Sequence, residues 1–210
     1  HARNAAVREK YKELFFVQNR ADCERWAKAN FPKATADELK RIVEEQLDKA
    51  STKHWKAYAR KCGLSNSTNA IAESWSPSDW AKEFAGITVN KESVKDFEKF
   101  LADQKHAVEK KWFPVGCDSL KASLDHEIGH QLDSMLDVRR DSAILKLWKS
   151  LSNDEITDGL SQYAWNNSNR EPIGEFIAEA WSEYCNNPFP RKIARTVGDR
   201  IMELYKAWKR

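Results

Sequence analysis

Leu124-Asp125-His126-Glu127-Ile128-Gly129-His130-Gln131-Leu132-Asp133 is the stretch on which the fold turns. Leu120, Leu124, Ile128, Leu132 and Leu136 recur through it at helical spacing, and Asp118 stands where an N-terminal cap belongs. On a helix, residues four apart share a face. His126 and His130 then point at one spot with Glu127 beside it. Imidazole nitrogen is a good zinc ligand, and a hydrolytic zinc site keeps one position for water. Glu127 is placed to take a proton from that water, whose pKa the metal lowers to about 7. The apolar residues on adjoining faces allow the helix to be buried, and Gly129 lets substrate or another backbone come close. The plainer alternative is a helix with two solvent-facing histidines. His1, His54 and His106 have no comparable spacing and read as surface residues.

Two histidines leave one ligand to find. The arrangement HExxHxxGxxH needs Gly at 133 and a ligand at 136, and Asp133 and Leu136 exclude it. Asp133 lies less than a turn past His130, which suits orienting a histidine or capping a neighbouring element better than binding metal. Downstream, Glu175-Phe176-Ile177-Ala178-Glu179-Ala180-Trp181 sets two carboxylates on one helical face. One can bind zinc while the other accepts a proton from a ligand histidine. The alternative is an amphipathic helix with exposed acids. Tyr163 precedes Glu175 and can fold back to stabilise an oxyanion; Tyr184, Tyr205 or a structural role for Tyr163 are the competing readings.

Around this segment the 210 residues read as mostly helical. Seven Gly and six Pro are few for a sheet-rich chain, while nine Trp and nine Phe supply a core. A net charge of +3, spread in short clusters, argues against a nucleic-acid partner. No apolar run is long enough to span a bilayer, so no membrane partner is expected. Cys23, Cys62, Cys117 and Cys185 form no CxxC pair, which argues against a zinc ribbon and leaves their redox state open.

The spacing predicts helices over 3–30, with Phe15, Phe16, Trp26 and Ala27 facing inward, and from a Thr35/Glu38 capping box to Cys62, stopped by Gly63. Residues 64–77 read as a Ser/Asn-rich loop, and Ser78 opens a short helix through Phe84. Ile87-Thr88-Val89 is the best strand candidate. Asn90 is expected to cap a long helix, Trp112–Gly116 to form a second extended piece, and helices to follow at 141–151, 154–165, 172–186 and 189–209.

These residues resemble the gluzincin zinc peptidases of the anthrax lethal factor catalytic-domain type. His126 through Asp133 is similar to that family's HExGHxxD, and Glu175 through Trp181 to its E-[FY]-x-A-E-[AMS]-[FW] segment. The resemblance implies that Glu175 is the third ligand, Glu179 its partner behind the metal, and Tyr163 the oxyanion-stabilising group. Its firm part covers residues 117–186. A fainter resemblance is to domains in minor head proteins of tailed phages of Gram-positive hosts, through Ala21-Asp22-Cys23-Glu24-Arg25-Trp26-Ala27 and Trp112-Phe113-Pro114-Val115-Gly116-Cys117. It implies a domain from a longer virion protein, with phage head proteins as partners through flanking regions. The absence of Met at position 1 fits a cut or processed domain.

The expectation is thus an α+β, mostly α-helical, zincin-like fold with a small sheet and an active-site HExxH helix. A helical part over 1–85 would pack on a catalytic part over 86–210, the two forming one continuous domain. The expected activity is zinc-dependent endopeptidase, with one Zn2+ per chain and a peptide or protein substrate lying along an edge strand such as Ile87–Val89. The alternatives are a non-catalytic structural virion domain that keeps the fold, or a secreted bacterial toxin or effector peptidase. Location follows the choice: virion or bacterial-host cytoplasm if phage-encoded, secreted otherwise.

Overall fold

The computed structural model describes residues 2–61, 71–75, 79–166 and 172–209. Cys62, Gly63, Ser78 and most of the expected 64–77 loop lie outside them. The described residues are mostly helical with one two-stranded antiparallel sheet. They divide into two compact units, one made of 2–61 and 79–84, the other of 71–75 and 85–209.

The first unit is built on two long helices, α1 (Ala2–Asn30) and α2 (Ala36–Lys61). Thr35 and Glu38 close the start of α2 reciprocally: the Thr35 amide donates to Glu38 Oε2 at 2.7 Å and the Glu38 amide to Thr35 Oγ1 at 3.3 Å. Ala27, Val43 and Leu47 are buried between the helices, with Phe15, Phe16, Leu39 and Ile42 packed on them. Trp26, expected inside, is exposed and sets its ring edge-on to Phe31. Tyr11, Trp55, Tyr58 and Trp80 form an aromatic cluster, Trp80 coming from a short 3-10 helix at Asp79–Phe84.

The second unit holds the sheet. β1 (Ala72–Trp75) pairs with β2 (Gly86–Val89) so that Ala72 faces Val89 and Trp75 faces Gly86. β1 falls inside the stretch read as loop; its Ala-Glu-Ser-Trp sequence contains no β-branched residue, and pairing with β2 supplies what propensity does not. Asn90 does not start the next helix. Its side chain accepts from the Glu92 amide in a turn, and α3 (Phe97–Glu109) is capped by Asp96, which accepts from the Lys99 amide at 3.0 Å.

Trp112–Gly116 is a turn rather than an extended piece. The amides of Trp112 and Phe113 return to the Ala107 carbonyl, with Lys111 at φ 58° and Gly116 at φ 80°. α4 (Leu120–Leu136) carries the HExxH segment and is capped by Ser119, one residue past the expected Asp118. After a 3-10 turn at Val138–Arg140 come α5 (Ser142–Ser150), capped by Asp141, and α6 (Asn153–Gly159), opened by a Ser152/Glu155 capping box. α6 ends six residues before the expected 165, at a glycine whose added Cβ would strike Ile193 at 2.7 Å. α7 (Pro172–Asn186) and α8 (Lys192–Trp208) complete the unit.

α7 is the centre of this unit and packs against both α4 and α8. It is buried from Gly174 through Ala180 and again at Ser182 and Glu183, rather than amphipathic with its acids outside. Phe176 and Ile177 lie in a core with Val138, Ile144, Ile156, Leu160 and Ile201. Full burial of each contributes roughly 1.5–3 kcal/mol. Among the described residues no helix is long and apolar enough to cross a membrane.

Candidate metal centre

Gly129 determines how near α7 comes to α4. A Cβ there would meet the Cα of Ala178 at 2.7 Å, so only glycine lets the two backbones touch. Ala178 sits between Glu175 and Glu179 on α7, and both acids are thereby brought over the histidines of α4. Ile128, counted from its spacing among the burying residues, is exposed.

Nε2 of His126 lies 3.2 Å from Nε2 of His130 and 3.2 Å from Oε2 of Glu175, and the last two atoms are 3.5 Å apart. Zinc holds nitrogen and carboxylate ligands at about 2.0–2.1 Å, which places tetrahedral neighbours about 3.3 Å from one another. The triangle has the size of one face of that tetrahedron. Two imidazoles and a carboxylate also form a donor set that suits zinc, and three protein ligands are what a hydrolytic zinc site takes. Among the described residues, His126, His130 and Glu175 are the group able to hold a metal ion.

Behind this triangle, Nδ1 of His126 donates to Oε1 of Glu179 at 2.7 Å. Burial works against a charge on His126, but its hydrogen bonds to Glu175 and Glu179 outweigh that and raise its pKa well above the usual imidazole value. Burial also opposes the Glu175 carboxylate; hydrogen bonds from His126 and His130 overcome it and hold the pKa far below the usual range. A divalent cation would take the place of the proton that the cluster holds.

Glu127 is half-buried on α4. The Tyr163 ring stands 5.9 Å from the His126 ring, and Trp112 and Phe113 each meet it edge-on at 5.7 Å. Backbone pairing places it: the amides of Gln162 and Tyr163 donate to the carbonyls of Lys111 and Trp112 at 2.8 and 3.1 Å. Of the competing tyrosines, Tyr184 donates to Asp199 at 2.9 Å and Tyr205 stacks on Trp208, both away from the histidines. Asp133 does not orient a histidine. Its carboxylate accepts from the Arg139 amide, Nε and Nη2 at 2.8, 2.8 and 2.6 Å, fastening the turn that follows α4.

Three residues with no counterpart among the expected site complete the surroundings. Ser161 donates to Oε2 of Glu179 at 2.7 Å. Glu183, fully buried, continues the Glu175–Glu179 stripe by one more turn and pairs with Arg191 at 2.6 Å. Arg191 in turn donates to the carbonyls of Asp158 and Leu160, holding the segment that leads into Ser161. The four-residue spacing announces Glu183, whereas Ser161 and Arg191 carry no spacing signal. Cys23, Cys117 and Cys185 are free thiols, and Cys117 lies buried against Ser182.

The geometry therefore stands on its own residues: no known protein family, curated protein or solved structure matches the chain.

Proposed function

We propose that this chain is a zinc-dependent endopeptidase of the gluzincin kind, with a zincin-like catalytic unit and His126, His130 and Glu175 as ligands of one zinc ion. The observation that carries the reading is the triangle of Nε2, Nε2 and Oε2 atoms at tetrahedral spacing, on a helix that also bears Glu127. When bound, zinc supplies a Lewis acid and a water of lowered pKa. Glu127 receives the proton of the attacking water and passes it to the leaving amine. Tyr163, beside His126, donates a hydrogen bond to the oxygen that gains charge. Glu179 keeps the His126 ring in place through Nδ1. A peptide adding to the β1–β2 sheet would have its backbone fixed near α4, because Ser74 of β1 accepts from Gln131, next to His130.

The test is metal content followed by cleavage of a peptide library, with a Glu127→Ala control and a chelator. About one zinc per chain and cleavage abolished by both treatments are expected. A metal-free protein that takes up no zinc removes the reading. A protein that binds zinc and cleaves nothing turns it into a non-catalytic domain with a retained metal site.

A further inference from the structure

We infer that Ser161 is a positioning residue for the metal centre, fixing the proton of His126 on Nδ1 by way of Glu179; this rests on the zinc reading above. Ser161 is fully buried just beyond the end of α6. Its Oγ accepts the Ala164 amide at 3.3 Å and lies 2.7 Å from Oε2 of Glu179. A hydroxyl has one proton and a carboxylate only accepts, so that proton points at Glu179. The second oxygen of Glu179 takes the hydrogen on Nδ1 of His126 at 2.7 Å. The chain of donors runs one way, from Ala164 to Ser161 to Glu179, and meets the imidazole N–H coming from the other side. With Nδ1–H fixed on Glu179, the proton that a metal displaces is the one on Nε2, and the lone pair freed there faces His130 and Glu175.

Glu179 alone would not secure this. Its terminal torsion is soft, so a carboxylate with one oxygen unheld can turn and offer either oxygen to the imidazole. Ser161 holds Oε2, and Ser161 is itself held. Arg191 grips the Leu160 carbonyl on one side, and the Gln162 and Tyr163 amides are paired with Lys111 and Trp112 on the other. One short segment thus sets the ligand ring through Glu179 and carries Tyr163 against the same ring.

The experiment is the zinc affinity of the full chain, measured by competition with a chromophoric chelator. The proteins are wild type, Ser161→Ala, Ser161→Cys, Glu179→Gln and the Ser161→Ala/Glu179→Gln double variant, each with its helical circular dichroism and melting curve. Ser161→Ala should bind zinc up to about 10-fold more weakly, the low end of the range seen when the direct partner of a ligand is lost, because Glu179 itself remains. Ser161→Cys keeps nearly the same volume with a poorer donor and should weaken binding in the same direction, which preserves the test if the alanine variant does not fold. In the Glu179→Gln background Ser161→Ala should cost nothing further, because its effect passes through Glu179. Wild-type affinity in a folded Ser161 variant, or a full additive loss in the double variant, overturns the inference. A wild-type chain that binds no zinc sinks the peptidase reading instead, and the inference with it, so the two failures are told apart.

Discussion

A Cβ atom on Gly129 would come within 2.7 Å of the Cα of Ala178, so α4 and α7 meet backbone to backbone beside the candidate metal ligands. Gly129→Ala must push the helices apart. Overpacking of this kind costs about 1–3 kcal/mol, offset by up to about 1 kcal/mol from alanine's better helix propensity. Zinc affinity should fall with stability, since Glu175 rides on the displaced helix. Denaturant unfolding with a parallel zinc titration checks both. Unchanged values would mean that the contact has no bearing on the site.

Removal of a ligand should cost more than removal of its partner. Glu175→Ala is expected to weaken zinc binding by more than about 100-fold, beyond the range for Glu179→Gln. The chelator competition that ranks these two variants decides which glutamate binds metal. The reverse order would exchange their roles.

The metal-free protein should have a defined pH window of stability. For His126 burial lowers the pKa, but hydrogen bonds to Glu175 and Glu179 raise it overall, so its contribution is full below the unfolded imidazole value of about 6.5. That contribution is lost as pH rises through the folded value. Glu175 is the opposite case, lowered by His126 and His130 against burial, and contributes above the unfolded value of about 4.3. Stability of the metal-free chain from these two groups should therefore peak between about pH 5 and 6.5. Zinc must displace the His126 proton, so its apparent affinity should rise by about tenfold per pH unit while that proton is bound. Calorimetry at neutral pH in two buffers of different ionisation enthalpy measures the release; no proton released would contradict the raised imidazole.

Tyr163→Phe should lower kcat by roughly 100-fold, with a much smaller change in KM, the pattern of an interaction made in the transition state. Zinc content should stay at the wild-type level. Equal kcat values would leave Tyr163 as packing for Trp112 and Phe113.

The Glu183–Arg191 pair should carry stability rather than chemistry. Glu183 is fully buried and Arg191 about one quarter exposed. Breaking a buried pair on one side costs about 3–5 kcal/mol, and the exposure of Arg191 places Glu183→Gln near the lower end. Urea unfolding measures it. A loss below about 1 kcal/mol would class the pair with surface salt bridges.

How much of this could be read beforehand follows from where each signal lives. His126 with His130, and Glu175 with Glu179, are four apart on single helices, and helical periodicity is local. Ser161, Arg191 and Asp133 meet their partners through tertiary packing or a turn, and no spacing expresses that. β1 was hidden for a related reason: Ala72-Glu73-Ser74-Trp75 lacks strand propensity, and its partner lies beyond the Asp79–Phe84 helix. Competing polar residues blurred the helix starts. Asp118 and Ser119 are both competent caps, as are Asn90 and Asp96, and the backbone uses the second of each.

The position of β1 has a consequence for the unit as something inherited. Residues 79–84 belong to the first unit, yet β1 before them and β2 after them share a sheet in the second. The second unit is therefore written in the chain as two separate passages. A single breakpoint near residue 85 would carry off α4 and α7 but leave behind one of the two strands, together with the Ser74 that Gln131 grips. Recombination can move this unit whole only from a breakpoint ahead of β1, and it then carries residues 79–84 away from the helices of the first unit.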